Sequence, residues 1–308
     1  MDFKDVKEGK EFQQIQKALR QDEDLSSIIE AAFKELQDDA EVSAELKKLS
    51  LTRKEVKDHI GMLREFQKDF HVCANCPGLE HCPKDPQHFR IDITNEGGFL
   101  ERRYSPCQKR IALLEANSRY FIRDFDEEWL QRNLRMVDTT KDRNPAILKM
   151  AGIIQGKNAD WLYLTGNLGS GRSYLLACFA NDFAADSKEA IAFADTASLV
   201  DRLRALSIED KAKFDKEMAK ITECPLLILD GFGDEYKSDF AFSTVLFPIL
   251  RERAKRNLIT GFSSDFSLAQ IEEMYSQKVG RPRAHQLSEL ISAKAKKETI
   301  LKGLAIYQ

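Results

Sequence analysis

Two stretches of the chain combine residue types and spacings suited to chemistry. The first is Gly166-Asn167-Leu168-Gly169-Ser170-Gly171-Arg172-Ser173, followed by Tyr174. It has the form G-x-x-x-x-G-K-[ST] with arginine in the lysine place. Glycines so spaced let backbone N–H groups turn inward on a polyphosphate. The helix that follows contributes its positive end, and the Ser173 hydroxyl is placed to ligand Mg²⁺. Gly166, Asn167, Gly169, Ser170, Gly171, Arg172, Ser173 and Tyr174 are the candidate ATP-binding residues. Arg172 keeps the lysine's charge but replaces a compact ammonium with a broad planar guanidinium.

Two apolar runs end beside this loop if the sheet is parallel. Leu226-Leu227-Ile228-Leu229 closes on Asp230, a carboxylate placed to hold the magnesium shell. The next position, where a second acid would polarise water, is Gly231, which leaves Asp234 or Glu235 as nearby acids. Leu258-Ile259-Thr260-Gly261-Phe262-Ser263 leads to Ser264 and Asp265, either of which could position water. A strand end followed by a helix cap explains them equally well. Asp230, Glu235 and Asp265 are the catalytic candidates.

The second stretch runs from His71 to Gln108 and holds four of the six cysteines. Cys73-Ala74-Asn75-Cys76 puts two thiols on one turn, with Cys82, His88 and Cys107 following. Thiolate and imidazole ligands suit a structural Zn²⁺, whose binding energy can fold a segment poor in aliphatic residues. The preferred set is Cys73, Cys76, His88 and Cys107, with Cys82 as the alternative fourth ligand. An iron–sulfur cluster would draw on Cys73, Cys76, Cys82 and Cys107; packing as small buried thiols is the remaining reading. Cys178 and Cys224 lie in apolar runs and read as core thiols.

These groups need elements to hold them. A length of 308 residues suggests two domains, and a composition 43% hydrophobic and 31% charged is that of a folding, globular chain. The net charge of -3 gives no global basic field. Lys278, Arg281, Arg283, Lys294, Lys296, Lys297 and Lys302 form a local basic stretch near the end, and Arg251, Arg253, Lys255 and Arg256 another; either a DNA contact or a solvated helix face accounts for them. The start carries no apolar leader and no run suits a membrane span, so a cytoplasmic, membrane-independent protein is expected. Leu25, Ile28, Ile29, Ala32, Phe33 and Leu36 follow helical spacing, and a second helix is expected from a Thr52/Glu55 capping box through Val56, Ile60, Leu63, Phe66 and Phe70. The expected order is a helical zinc-binding domain over 1–120, a linker over 121–145, and over 146–308 an α/β domain with a parallel sheet and flanking helices.

Together these motifs resemble the AAA+ helicase loaders of the DnaI and DnaC type over most of the chain, and Cys73-Ala-Asn-Cys76-Pro77-Gly78-Leu79 is specifically similar to the DnaI group. The resemblance implies an N-terminal zinc domain that binds the hexameric replicative helicase and a C-terminal AAA+ P-loop ATPase domain. Together they would deliver the helicase onto single-stranded DNA under ATP control. It further implies self-association on the helicase ring, contacts with other primosomal proteins, and arginine finger and sensor-2 roles in the region of Arg281 and Arg283. Arg172, Gly231 and Asp265 depart from that family's pattern at the Walker A lysine, the second Walker B acid and the sensor-1 asparagine, which argues against turnover. The other expectations are a helicase adaptor that does not hydrolyse ATP and, against the cysteine segment, a transposition helper ATPase.

Overall fold

A computed structural model describes residues 22–96 and 99–302, and the chain divides between Ile111 and Ala112 into two units. In the first, α1 (Asp22–Asp38), α2 (Ala40–Lys47), α3 (Arg53–Asp58) and α4 (Ile60–Ala74) precede an antiparallel pair, β1 (Phe89–Glu96) and β2 (Phe99–Pro106). The expected stripe forms α1, which buries Phe33 and Leu36 and leaves Leu25 and Ile28 exposed. The capping box forms as read: Glu55 N donates to the Thr52 hydroxyl at 3.3 Å and Thr52 N to the Glu55 carboxylate at 2.7 Å. The helix expected from Thr52 to Phe70 is instead divided. His59 leaves the helical region at φ -109°, ψ 21°, and α4 starts again at Ile60, next to Gly61, where helix propensity is low.

Leu36, Val42, Leu63 and Ile93 form the core of this unit, with Val56, Phe66 and Phe70 packed against it. Ile93 lies on β1, so the cysteine-rich segment does contribute to a conventional core, contrary to its composition. Two bonds fasten the strand: Ile91 N donates to Asp69 Oδ2 and Asn95 Nδ2 to the Leu49 carbonyl, each at 3.0 Å.

α5 (Gln108–Asn117) crosses the division. The second unit is built on a six-stranded sheet in the order β3-β5-β6-β7-β4-β8, and every pairing is parallel. The strands are β3 (Tyr120–Arg123), β4 (Leu162–Gly166), β5 (Ile191–Asp195), β6 (Leu226–Asp230), β7 (Ile259–Ser264) and β8 (Thr299–Leu301). Between them run α6 (Asn144–Ile154), α7 (Arg172–Asp186), α8 (Thr196–Glu209), α9 (Lys211–Glu223), α10 (Phe247–Lys255), α11 (Leu268–Val279) and α12 (Arg281–Ala295). Leu162, Leu164, Leu226 and Ile228 face one buried layer with α7. Tyr163, Leu227, Leu229 and Phe262 face the other, with α8 and the helices after β6. Both faces are covered, which explains why these strands read as unbroken apolar runs.

The stretch 121–145, expected as a linker, belongs to this unit. It opens on β3 at the sheet edge and continues through 3₁₀ turns at Glu127–Gln131 and Leu134–Met136. Asn181 on α7 holds it, donating from Nδ2 to the carbonyls of Trp129 at 2.7 Å and Arg132 at 2.8 Å and accepting from Tyr120 OH at 2.8 Å. Leu134 and Val137 are buried, but 3₁₀ spacing follows neither the helical nor the strand period.

Candidate nucleotide site

The carboxyl ends of parallel strands share one edge, and register aligns Thr165 with Ser264, Gly166 with Leu301, and Asp195 with Asp230. The loop after β4 therefore opens beside the ends of β6 and β7. A side chain at Gly166 would run into the Leu301 carbonyl and come within 2.9 Å of Ser170 Oγ. Gly171 precedes α7 with φ 84°, a left-handed backbone, and no side chain caps the helix. The first amides of α7 are left to an anion. Ser170 Oγ is buried with no hydrogen-bond partner in the protein, a polar atom that a bound phosphate would satisfy.

Asp230, at the end of β6, accepts from Ser263 Oγ, and the Ser173 hydroxyl is near enough to favour its charged form. The two residues assigned to magnesium are thus neighbours. Burial pushes the Asp230 carboxyl above the usual range, against those hydroxyls. Asp234 is raised likewise by burial, with the neighbouring Asp265 adding to it. Serine hydroxyl and buried carboxylate are oxygen donors of the kind Mg²⁺ takes.

Two candidates take other roles than expected. Arg172 is buried, and its guanidinium donates to the Ser264 carbonyl and to Asp265 Oδ1. The arginine expected on phosphate and the aspartate expected on water are each other's partners, because a buried guanidinium requires an anion. Glu235 is fully buried: Oε1 accepts from Tyr275 OH at 2.6 Å and Oε2 from Gly233 N at 2.8 Å. With both oxygens occupied it cannot serve as the missing second acid. The turn before it is fixed to β7, Gly231 N donating to Ser263 Oγ at 3.0 Å and Phe232 N to the Ser263 carbonyl at 2.8 Å.

A cavity of about 960 Å³ adjoins the loop, lined by Gly169, Gly171, Ser173 and Tyr174 on one side and by Trp129, Arg132, Val137 and Arg143 on the other. Trp129 and Tyr174 meet edge to face, 5.5 Å between ring centres, and offer an aromatic wall suited to a nucleobase. Arg143 Nη2 donates to the Ser170 carbonyl at 3.3 Å. Trp129, Arg132 and Arg143 were missed in the sequence because they lie in the supposed linker; the only signal was the density of aromatic and basic residues there.

In the first unit no three His, Cys, Asp or Glu side chains gather at metal-holding distances among the described residues. The expected zinc set Cys73, Cys76, His88 and Cys107 is thus not assembled as placed, nor is any set with Cys82. The donors are nonetheless oriented. His88 Nε2 is hydrogen-bonded to the Leu79 carbonyl at 2.8 Å, Cys82 Sγ accepts from His88 N and Cys107 Sγ from Arg110 N, each at 3.4 Å. Cys178 and Cys224 are buried core thiols as expected. Arg253, counted in a basic stretch, is fully buried, donating to the carbonyls of Ile221 at 3.1 Å and Cys224 at 2.7 Å and to Thr260 Oγ1 at 3.0 Å; it is a structural cation. No helix among the described residues is long and apolar enough to cross a membrane.

The second unit has an α/β fold, with a glycine-rich loop at the carboxyl edge of a parallel sheet flanked by helices. No protein-family model matches the chain. Among known proteins it is 23% identical over 268 residues to the replicative helicase loader DnaI of Bacillus subtilis strain 168, covering 83% of this chain and 85% of that protein. A crystal structure of DnaI superposes with a TM-score of 0.51 at 28% identity, covering 62% of this chain and 98% of that one. That of a proposed primosome component from Streptococcus pyogenes serotype M3 gives 0.52 at 22% identity, covering 64% and 99%. The chain is thus similar, over most of its length, to a replicative helicase loader of the DnaI kind.

Proposed function

We propose that this protein is a cytoplasmic loader of the hexameric replicative helicase in DNA replication. Its first unit grips the helicase, and its second binds a nucleotide with Mg²⁺ and contacts single-stranded DNA. The similarity to a replicative helicase loader over most of both chains carries this reading. Within the second unit the orphaned Ser170 hydroxyl, the uncapped start of α7 and the nearness of Ser173 to Asp230 support nucleotide binding. Ser173 and Asp230 would hold the metal, which screens phosphate charge, and the wall of Trp129 and Tyr174 would take the base.

The site is read as binding nucleotide without turning it over. Gly231 stands where an acid would polarise water, Glu235 is closed off by Tyr275 and Gly233, and Asp265 is held by Arg172. The test uses the full-length protein with the replicative helicase of the same organism, scoring complex formation, helicase delivery to circular single-stranded DNA, and phosphate release. Complex and delivery with no phosphate above background are expected. A chain that leaves the helicase unbound overturns the loader reading, and DNA-stimulated phosphate release overturns the non-hydrolysing one.

The finer reading of the first unit is a structural Zn²⁺ on Cys73, Cys76, His88 and Cys107, with Cys82 as the alternative to His88. The His88 bond to Leu79 fixes the ring, so Nδ1, which faces Arg110 Nη1 at 3.4 Å, is the nitrogen that would exchange its partner for the metal, and N–H groups directed at Cys82 and Cys107 are the usual support of thiolate ligands. Elemental analysis of the purified protein is expected to find stoichiometric zinc, lost together with helicase binding in Cys107→Ser. Metal-free protein that binds helicase normally refutes it.

A further inference from the structure

Arg172 is the cation of the phosphate loop, and its two sites of attachment, the Ser264 carbonyl and the Asp265 carboxylate, both belong to the end of β7. Side-chain exposure is 10% for Arg172 and 44% for Asp265, so the guanidinium is largely buried while the carboxylate that holds it is open to solvent. Other acids crowd the same end. A side chain on Gly231 would lie 3.0 Å from Asp234 Oδ2 and 3.7 Å from Asp195 Oδ2, and Asp195 is in register with Asp230. Lys237, the other cation near Asp234, is turned to the carbonyls of Gly233 and Glu235.

We propose that the Arg172–Asp265 pair sets the ligand class of the loop, which holds a nucleoside diphosphate at least as tightly as a triphosphate. The inference rests on the nucleotide-binding reading above. Loop amides and the start of α7 serve phosphates bound along the loop equally in both ligands. A third phosphate needs the motif's cation, which Asp265 already holds. To reach Arg172 it must displace that carboxylate and then lie beside it, charge against charge. In a loop with lysine and a neutral amide at these two positions the cation is free for the terminal phosphate. Here the arginine and the aspartate cancel each other, and neither departure is explained as well alone.

The test is calorimetric titration of the full-length protein with Mg-ADP and with the non-hydrolysable Mg-AMPPNP, at fixed free Mg²⁺. The wild type is expected to bind ADP as tightly as AMPPNP or more tightly. Removing the competing charge in Asp265→Asn is expected to shift the ratio of the two dissociation constants toward the triphosphate by about tenfold, the scale of one charge-assisted hydrogen bond. A wild type that prefers AMPPNP to ADP, or an Asp265→Asn ratio equal to that of the wild type, overturns the proposal. The wild-type ratio decides even if the variant fails to fold. Binding of neither ligand overturns the nucleotide-binding reading itself and this inference with it.

Discussion

The Tyr275 hydroxyl donates to Glu235 at 2.6 Å, joining α11 to the turn that follows Asp230. Lys237 Nζ lies 3.4 Å from the same oxygen, and both Glu235 and Tyr275 are buried. Burial and the adjoining carboxylate push the Tyr275 hydroxyl above its usual range, so it stays a donor at every working pH. The arrangement fixes the turn from below.

Removing that donor in Tyr275→Phe leaves a buried carboxylate short of one bond. A loss of about 1–3 kcal/mol is expected for the second unit. Urea unfolding followed by tryptophan fluorescence reads it, since both tryptophans, Trp129 and Trp161, lie in that unit. A midpoint unchanged from the wild type would mean the bond does not hold the turn.

Asp230 predicts opposite effects on stability and binding. Its carboxyl is raised chiefly by burial, so keeping it ionised opposes folding at neutral pH, and the penalty fades as pH falls through the raised value. Asp230→Asn removes the charge while keeping an acceptor for Ser263, so the melting temperature at pH 7 is expected to rise and Mg-dependent nucleotide binding to fall by tenfold or more. Stability and affinity falling together would show that Asp230 is a structural residue. For the same reason nucleotide affinity of the wild type is expected to drop with acidification sooner than an ordinary carboxylate would cause.

Asn181 gives a test of the segment once expected to be a linker. Asn181→Ala breaks its bonds to Trp129, Arg132 and Tyr120. Faster amide exchange over Glu127–Met136 and weaker nucleotide binding are expected, because Trp129 then loses its place on the cavity wall. Faster exchange with unchanged nucleotide binding would remove Trp129 from the site.

How much of this was legible depended on periodicity and on chemistry that stays local. Strands β6 and β7 were readable because burial on both faces makes apolar runs, and the phosphate loop because its glycines and Ser173 are close in sequence. Strands β3 and β8 are edge strands of four and three residues, too short to show a period. The Arg172–Asp265 pair joins residues 93 positions apart, so each read as a separate departure until the parallel register of β4 and β7 brought them together. Glu235 was misjudged for the same reason: nearness to Asp230 in sequence says nothing of which way the turn points, and Tyr275 decides that.

Asp39 carries the acid sensitivity expected of the first unit. It caps α2 by accepting from Val42 N at 3.1 Å, and it also binds Gln67 Nε2 at 2.8 Å and His71 Nε2 at 2.6 Å, both on α4. The Gln67 bond, then the His71 bond, lower its carboxyl from 3.8 to about 2. A depressed folded value means the stabilisation is fully present above the unfolded value of 3.8 and is lost as pH falls towards about 2. Asp39→Asn keeps a good cap but no charge, so its stability should fall less steeply than the wild type's across that interval, the remaining slope coming from Glu30 and Glu55, whose carboxyls are also lowered. Asp39→Ala removes the cap as well and should lose about 1 kcal/mol at neutral pH too. Pepsin, active throughout the window, reads the difference as cleavage within α2 and α4. Normalised to an unfolded substrate at each pH, wild type should become more susceptible as pH falls from about 4 to about 2, and Asp39→Asn should show a smaller rise. Parallel curves for the two proteins would assign the acid response to another group.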